Sequence, residues 1–130
     1  INKRYRTTSE KSIIGESLSG LFVVETFLLT PNMFDNYIAF DPSLWWNNHY
    51  LVRTAKEQLS KFPTTEKRIW FASSKTEDIS PYTKELATIL KTENKENLKW
   101  KFSDEPKEKH NTIFRATKEK AIIWTLNKTE

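Results

Sequence analysis

The chain contains only two glycines, and they bracket Ser17 in the stretch G-E-S-L-S-G, Gly15 to Gly20. Glycine is needed where the backbone takes a positive φ or where another backbone must come close. A serine at a sharp strand-to-helix turn presents its Oγ outward, and the amide that follows it, at a helix start, can stabilise a developing oxyanion. Ser17 is therefore a candidate nucleophile, with the Leu18 amide as a candidate oxyanion donor. The plainer reading is a glycine-rich turn with no chemistry. A nucleophilic serine requires a base, and the base an orienting acid. The chain has only two histidines, His49 and His110. His110 falls in a loop at the same end of the sheet as Ser17, whereas His49 reads better as a helix-start or surface residue. Glu77 and Asp78, in the loop S-S-K-T-E-D-I-S after the third strand, are the candidate acids, or else simple charges beside a helix start.

These groups need elements to hold them. Lys11 to Ile14 reads as a short strand running into Gly15, and from Leu18 the apolar spacing is helical until Pro31. Asn36 to Phe40 is a strand buried on both faces, closed by Asp41-Pro42-Ser43. A loop with Trp45 and Trp46 leads to a helix from His49 to Phe62, stopped by Pro63. Arg68 to Ala72 is the third strand. Ser80 and Pro81 open a helix with Tyr82, Leu86, Ile89 and Leu90 on its buried side. Leu98 to Phe102 alternates apolar residues with lysine, as an edge strand does. A last helix spans about Thr112 to Leu126. Strand and helix alternate four times, which predicts an α/β fold, a parallel sheet with helices on both faces.

Composition narrows the function classes. The 130 residues include five Trp, four Tyr and eight Phe, enough for one core. No apolar run approaches the roughly 20 residues of a membrane-spanning helix. The absence of cysteine excludes disulfides and thiol chemistry and leaves the compartment open. The net charge of +4 suggests nucleic acid, but from Lys91 to Lys109 acids interleave with the lysines, so no phosphate-binding cluster forms. No metal site is expected, because two distant histidines without cysteine make no ligand cluster. Trp45 and Trp46 offer an apolar wall with Asn47 or Asn48 as a polar contact, or else they pack in the core.

The order serine, acid, histidine is that of the α/β-hydrolases. The stretch R-Y-R-T-T-S-E-K-S-I-I-G-E-S-L-S-G through F-D-P-S-L-W-W-N-N resembles the carboxyl-terminal half of the esterase family of α/β-hydrolases, in its siderophore (enterobactin-type) esterase branch. That branch typically reads G-H-S-L-G-G, then P-x-x-F-x-x-Y-I-A-x-S-P-S-L-W-W, and E-K-H-N-T-I-F is similar to its histidine segment. The likeness runs from about Tyr5 to Trp124. It implies a serine esterase acting on a siderophore-type or small acyl ester without a cofactor, with Ser17 as nucleophile in a nucleophile elbow, His110 as base and Glu77 as acid, Asp78 being the alternative. Some members manage with serine and histidine alone. Glu16 stands where the family has His, which would make the pocket more acidic, and Ser19 where it has Gly.

The resemblance also implies the last four strands of an eight-stranded sheet. Residues 1–130 would then be the carboxyl-terminal part of one hydrolase domain whose amino-terminal half, with the second oxyanion amide, is absent. The expected partners are a small-molecule ester and the rest of that domain. A catalytically inactive hydrolase-fold interaction module is the competing expectation.

Overall fold

The computed structural model describes residues 11–62, 66–77, 79–93 and 95–126, with the side chains of 46–49 excepted. Four strands alternate with four helices: β1 Ser12–Glu16, α1 Leu18–Leu29, β2 Asn36–Phe40, α2 Trp46–Leu59, β3 Lys67–Ser73, α3 Ser80–Glu93, β4 Leu98–Asp104 and α4 Ile113–Leu126. The sheet is parallel throughout, in the order β1-β2-β3-β4. The expected fold class is the one observed.

Alternation along the strands sorts the core into two layers. Tyr37, Ala39, Ile69 and Phe71 join residues of α1, α2 and α3 on one face, while Ile38, Phe40, Trp70 and Ala72 meet Ile113 and Ala121 of α4 on the other. Both faces of β2 and β3 are thereby buried, which is why Y-I-A-F and I-W-F-A are continuous apolar runs. β4 alternates buried and exposed residues, as an edge strand should. Among the described residues β1 is the other edge. Ile14 on this strand and Leu18 and Phe22 at the start of α1 remain exposed.

Several boundaries shift from those predicted. β1 runs two residues past Ile14 because Gly15 and Glu16 pair with Ala39 and Phe40. The second helix begins at Trp46 rather than His49, since the backbone at Trp45 is already helical (φ −67°, ψ −17°). Trp46 and Asn48 therefore lie in the first turn of α2 and not in a loop. Among the described residues no helix is long and apolar enough to cross a membrane.

The glycines explain how β1 turns into α1. A Cβ on Gly15 would lie 2.5 Å from the carbonyl oxygen of Ser19, a distance no side chain tolerates. One on Gly20 would press on Pro42 Cα at 3.1 Å and on the carbonyl oxygens of Gly15 and Phe40 at 3.3 Å, so this glycine lets α1 approach the end of β2. Ser19, where the resemblance expected glycine, is exposed and its side chain does not obstruct the turn. Between them Ser17 adopts φ 57° and ψ −121°. Its N–H donates to the Phe40 carbonyl at 3.0 Å, and its own carbonyl accepts from Leu21 and Ser43.

Tyr37 anchors the opposite end of β2. Its fully buried hydroxyl donates to the Pro31 carbonyl at 2.7 Å and accepts from the Phe34 N–H. Burial pushes its pKa from 10.0 up to about 12, with the nearby Asp35 carboxylate adding to the rise and the Phe34 hydrogen bond opposing it.

Two outcomes follow. Gly15→Ala overpacks the turn and should cost about 1–3 kcal/mol, read as a lower urea midpoint at unchanged slope, while Ser19→Gly should stay within about 0.5 kcal/mol. The unfolded chain loses the Tyr37 proton near 10 and the folded chain only near 12. Tyr37 thus contributes stability that is complete below pH 10 and lost as pH rises toward 12, so urea midpoints should fall across that window. Equal midpoints at both ends of it, in parent and Tyr37→Phe alike, would contradict this.

Candidate active site

In a parallel sheet the loops at the carboxyl ends of the strands converge on one rim. Here that rim gathers Ser17 from the end of β1, Asp41 from the end of β2, Ser74 and Thr76 from beyond β3, and His110 from the loop after β4. Ser17 Oγ lies 3.1 Å from His110 Nε2, and His110 Nδ1 lies 2.8 Å from Asp41 Oδ2. Residues 93 and 69 positions apart are thus joined in one hydrogen-bonded chain.

The carboxylate sets the proton positions. An ionised Asp41 only accepts, so His110 Nδ1 carries a hydrogen, and in the neutral imidazole Nε2 is left with a lone pair facing the serine hydroxyl. The Asp41 side chain is 1% exposed and the His110 side chain 40%. The acid is therefore sealed beneath the imidazole, and the imidazole reaches solvent.

Asp41 also has a left-handed backbone, φ 46°. Its N–H donates to the Ala72 carbonyl at 2.9 Å. The carboxylate accepts the Ser74 N–H on Oδ1 at 2.7 Å and the Ser74 hydroxyl on Oδ2 at 2.6 Å.

The loop that presents His110 is closed by its own bonds. Glu105 N–H donates to Ser73 and Lys75 N–H to Glu108, which tie this loop to the end of β3. Lys109 N–H donates to Thr112 Oγ1, and Thr112 Oγ1 donates to Glu108 Oε1 at 2.9 Å. Glu105 pairs with Lys120 of α4. Burial alone would raise the Glu105 pKa, but the hydrogen bonds from Lys120 and Ser103 and the Lys120 charge hold it below the ordinary range.

Ser17 and His110, expected from different loops, are brought together. Glu77 is not the residue on His110: it stands exposed on the wall of a neighbouring pocket, and the carboxylate on Nδ1 is that of Asp41. The reason is geometric. β3 ends at Ser73, the next residue, Ser74, points two donors at Asp41, and Glu77 lies a further three residues along the loop. Asp78 lies outside the described residues, as do the side chains of Trp46 and Asn48. Glu16 is exposed at the last position of β1, paired in register with Phe40. Leu18 is the first residue of α1, where an amide has no intrahelical acceptor.

Asp41 is the residue the sequence reading passed over. A signal existed. The stretch Y-I-A-F-D-P-S-L-W-W places Asp41 where the quoted family pattern has serine, directly at the carboxyl end of a fully buried strand.

Beside His110 opens a pocket of about 560 Å³, lined by Trp45, Thr76, Glu77, Ile79, Pro81 and Tyr82. Trp45 is 46% exposed and forms part of this wall. Trp45, Ile79, Pro81 and Tyr82 give its wall an apolar part, and Thr76, Glu77 and His110 a polar part of similar extent.

Comparison with known proteins agrees with this architecture. The chain is similar to the siderophore enterobactin esterase of Emericella nidulans, 37% identical over 49 residues that make up 38% of this chain and 16% of that protein. It is similar to the ferri-bacillibactin esterase BesA of Bacillus subtilis, 37% identical over 54 residues, 41% of this chain and 19% of that protein. Among solved structures, an IroE-like serine hydrolase from Shewanella oneidensis superposes with a TM-score of 0.84 at 20% identity. That match covers 94% of this chain and 42% of the hydrolase, so the chain spans less than half the length of this structural neighbour. The family described as "Putative esterase" matches residues 1–127, and with nearly the whole length accounted for, the chain belongs to that family.

Proposed function

We propose that the protein carrying this chain is a serine esterase working through an acyl-enzyme, with Ser17 as nucleophile, His110 as general base and acid, and Asp41 as the orienting carboxylate. The observation that carries this reading is the continuous contact from Ser17 Oγ through both ring nitrogens of His110 to a buried Asp41.

His110 Nε2 takes the hydroxyl proton as Ser17 attacks an ester carbonyl. Asp41 keeps the other nitrogen protonated and stabilises the imidazolium that forms. The Leu18 amide, at the positive end of α1, faces the charge that develops on the carbonyl oxygen. Protonated His110 then delivers its proton to the departing alcohol, and water repeats the sequence to free the acid. The pocket beside His110 receives one arm of the ester against Trp45 and Tyr82. Because esterases that act on siderophores are among its relatives, a siderophore-type or small acyl ester is the substrate class we favour.

We further propose that residues 1–130 form the carboxyl-terminal part of a hydrolase domain. That β1 has no second neighbouring strand among the described residues, and that Ile14, Leu18 and Phe22 are exposed, supports this, as does the share of the solved relative that is covered. The remaining half would supply a neighbouring strand and a second oxyanion donor. Loss of one such donor costs about 2.7–4 kcal/mol of transition-state stabilisation, so the isolated chain should turn over slowly.

The test uses the full-length protein and a chromogenic short-chain ester. Ser17→Ala should abolish turnover and labelling by a fluorophosphonate. Asp41→Asn should lower kcat by about 10⁴-fold, because an amide favours the wrong imidazole tautomer. Glu77→Gln should leave kcat within about threefold. A large loss in Glu77→Gln with Asp41→Asn unaffected would reassign the acid, and a parent inert toward both ester and probe would favour an inactive interaction module.

A further inference from the structure

The proposed reading leaves the orienting acid with more partners than orientation of a histidine requires. Ser74 holds both oxygens of Asp41, N–H to Oδ1 at 2.7 Å and hydroxyl to Oδ2 at 2.6 Å. Two donors from one residue onto two oxygens fix the plane of the carboxylate as well as its position. Ser74 is 1% exposed, so no solvent molecule competes freely for that hydroxyl.

The direction of the Ser74 proton is itself determined. Ser74 Oγ lies 2.8 Å from Thr76 Oγ1 and accepts the Thr76 N–H at 3.2 Å. Since the Ser74 hydrogen points to Asp41, the Thr76 hydroxyl must be the donor in their contact, and the lone pairs of Ser74 are then filled. Nothing remains for its hydrogen to do except face the carboxylate. Thr76 is in turn held by its carbonyl, which accepts the N–H groups of Ile79 and Ser80 at the start of α3. Thr76 also lines the pocket beside His110. The donors therefore run in one sense from the pocket wall, through Thr76 and Ser74, to Asp41.

We propose that Ser74 is a positioning residue for the esterase reaction: with its proton directed by Thr76, it locks the Asp41 carboxylate in the plane that presents Oδ2 to His110 Nδ1. This rests on the Ser17–His110–Asp41 reading. Ser74 touches neither substrate nor the reacting atoms. Its effect passes through Asp41 alone, so it acts on the rate of the chemical steps and not on ester binding.

The experiment compares Ser74→Ala, Ser74→Thr, Thr76→Val and Asp41→Asn in the full-length protein. Ester kinetics, urea midpoint and the low-field NMR signal of the His110 Nδ1 proton are measured for each. Ser74→Ala should lower kcat by about ten- to a hundredfold with KM within about twofold, as loss of alignment does, and should broaden or remove the Nδ1 signal. Ser74→Thr keeps the hydroxyl and should restore both. Thr76→Val should lower kcat by about two- to tenfold, the worth of one hydrogen bond. If Asp41→Asn collapses kcat while Ser74→Ala keeps kcat within twofold and retains the Nδ1 signal, whatever its urea midpoint, Ser74 is only a packed polar residue and the inference falls alone. If Asp41→Asn is silent as well, the underlying site reading falls and takes this one with it. Should Ser74→Ala fail to fold, an unchanged kcat and Nδ1 signal in Thr76→Val overturns the inference.

Discussion

A carboxylate removed from water is costly unless donors replace the solvent it has lost. Asp41 meets this condition with donors from two other strand ends: the imidazole of His110 after β4, and the amide and hydroxyl of Ser74 after β3. Satisfying that one buried anion draws three loops into register. Ser17, the fourth group, then needs only to sit across the imidazole. The geometry of the rim is set by the needs of the acid more than by those of the serine.

The backbone is shaped to the same end. Ser17 and Asp41 are the two non-glycine residues with positive φ among the described residues, and they leave adjacent strands at corresponding points. Each donates its N–H across to the next strand, Ser17 to the carbonyl of Phe40, the last residue of β2, and Asp41 to that of Ala72, the last but one of β3. Such conformations cost on the order of 1–3 kcal/mol each and persist only where surrounding structure over-determines them. Here the parallel ladder supplies that constraint, because the hydrogen bond that ends one strand pair also fixes the turn. Two side chains are thereby aimed by the sheet itself.

Different layers of the structure were legible to different degrees. The fully buried β2 and β3 appear as unbroken apolar runs because α4 covers one face and the other three helices the opposite one. The turn at Gly15 was legible because steric exclusion is local: a Cβ there meets a carbonyl four residues on. Ser19 stands where the family pattern has glycine, yet it faces solvent, and only its orientation in the fold shows this. Asp41 looked like punctuation after a strand, as Asp-Pro pairs usually are. In the fold Ser74, 33 residues away, aims two donors at it.

The amino-acid sequence by itself determined the order of elements, the parallel α/β class, the glycine-relieved turn at Ser17 and the pairing of that serine with His110. These follow from periodicity, steric exclusion between near neighbours and the scarcity of histidine. Only the tertiary structure decided which carboxylate faces the imidazole. That choice depends on the backbone conformation at Asp41 and on donors arriving from a different strand, whereas Glu77 stands exposed three residues farther along the loop than Ser74. Local chemistry can be read along the chain, whereas the direction of a side chain at a strand exit is set by the neighbours that the sheet brings alongside.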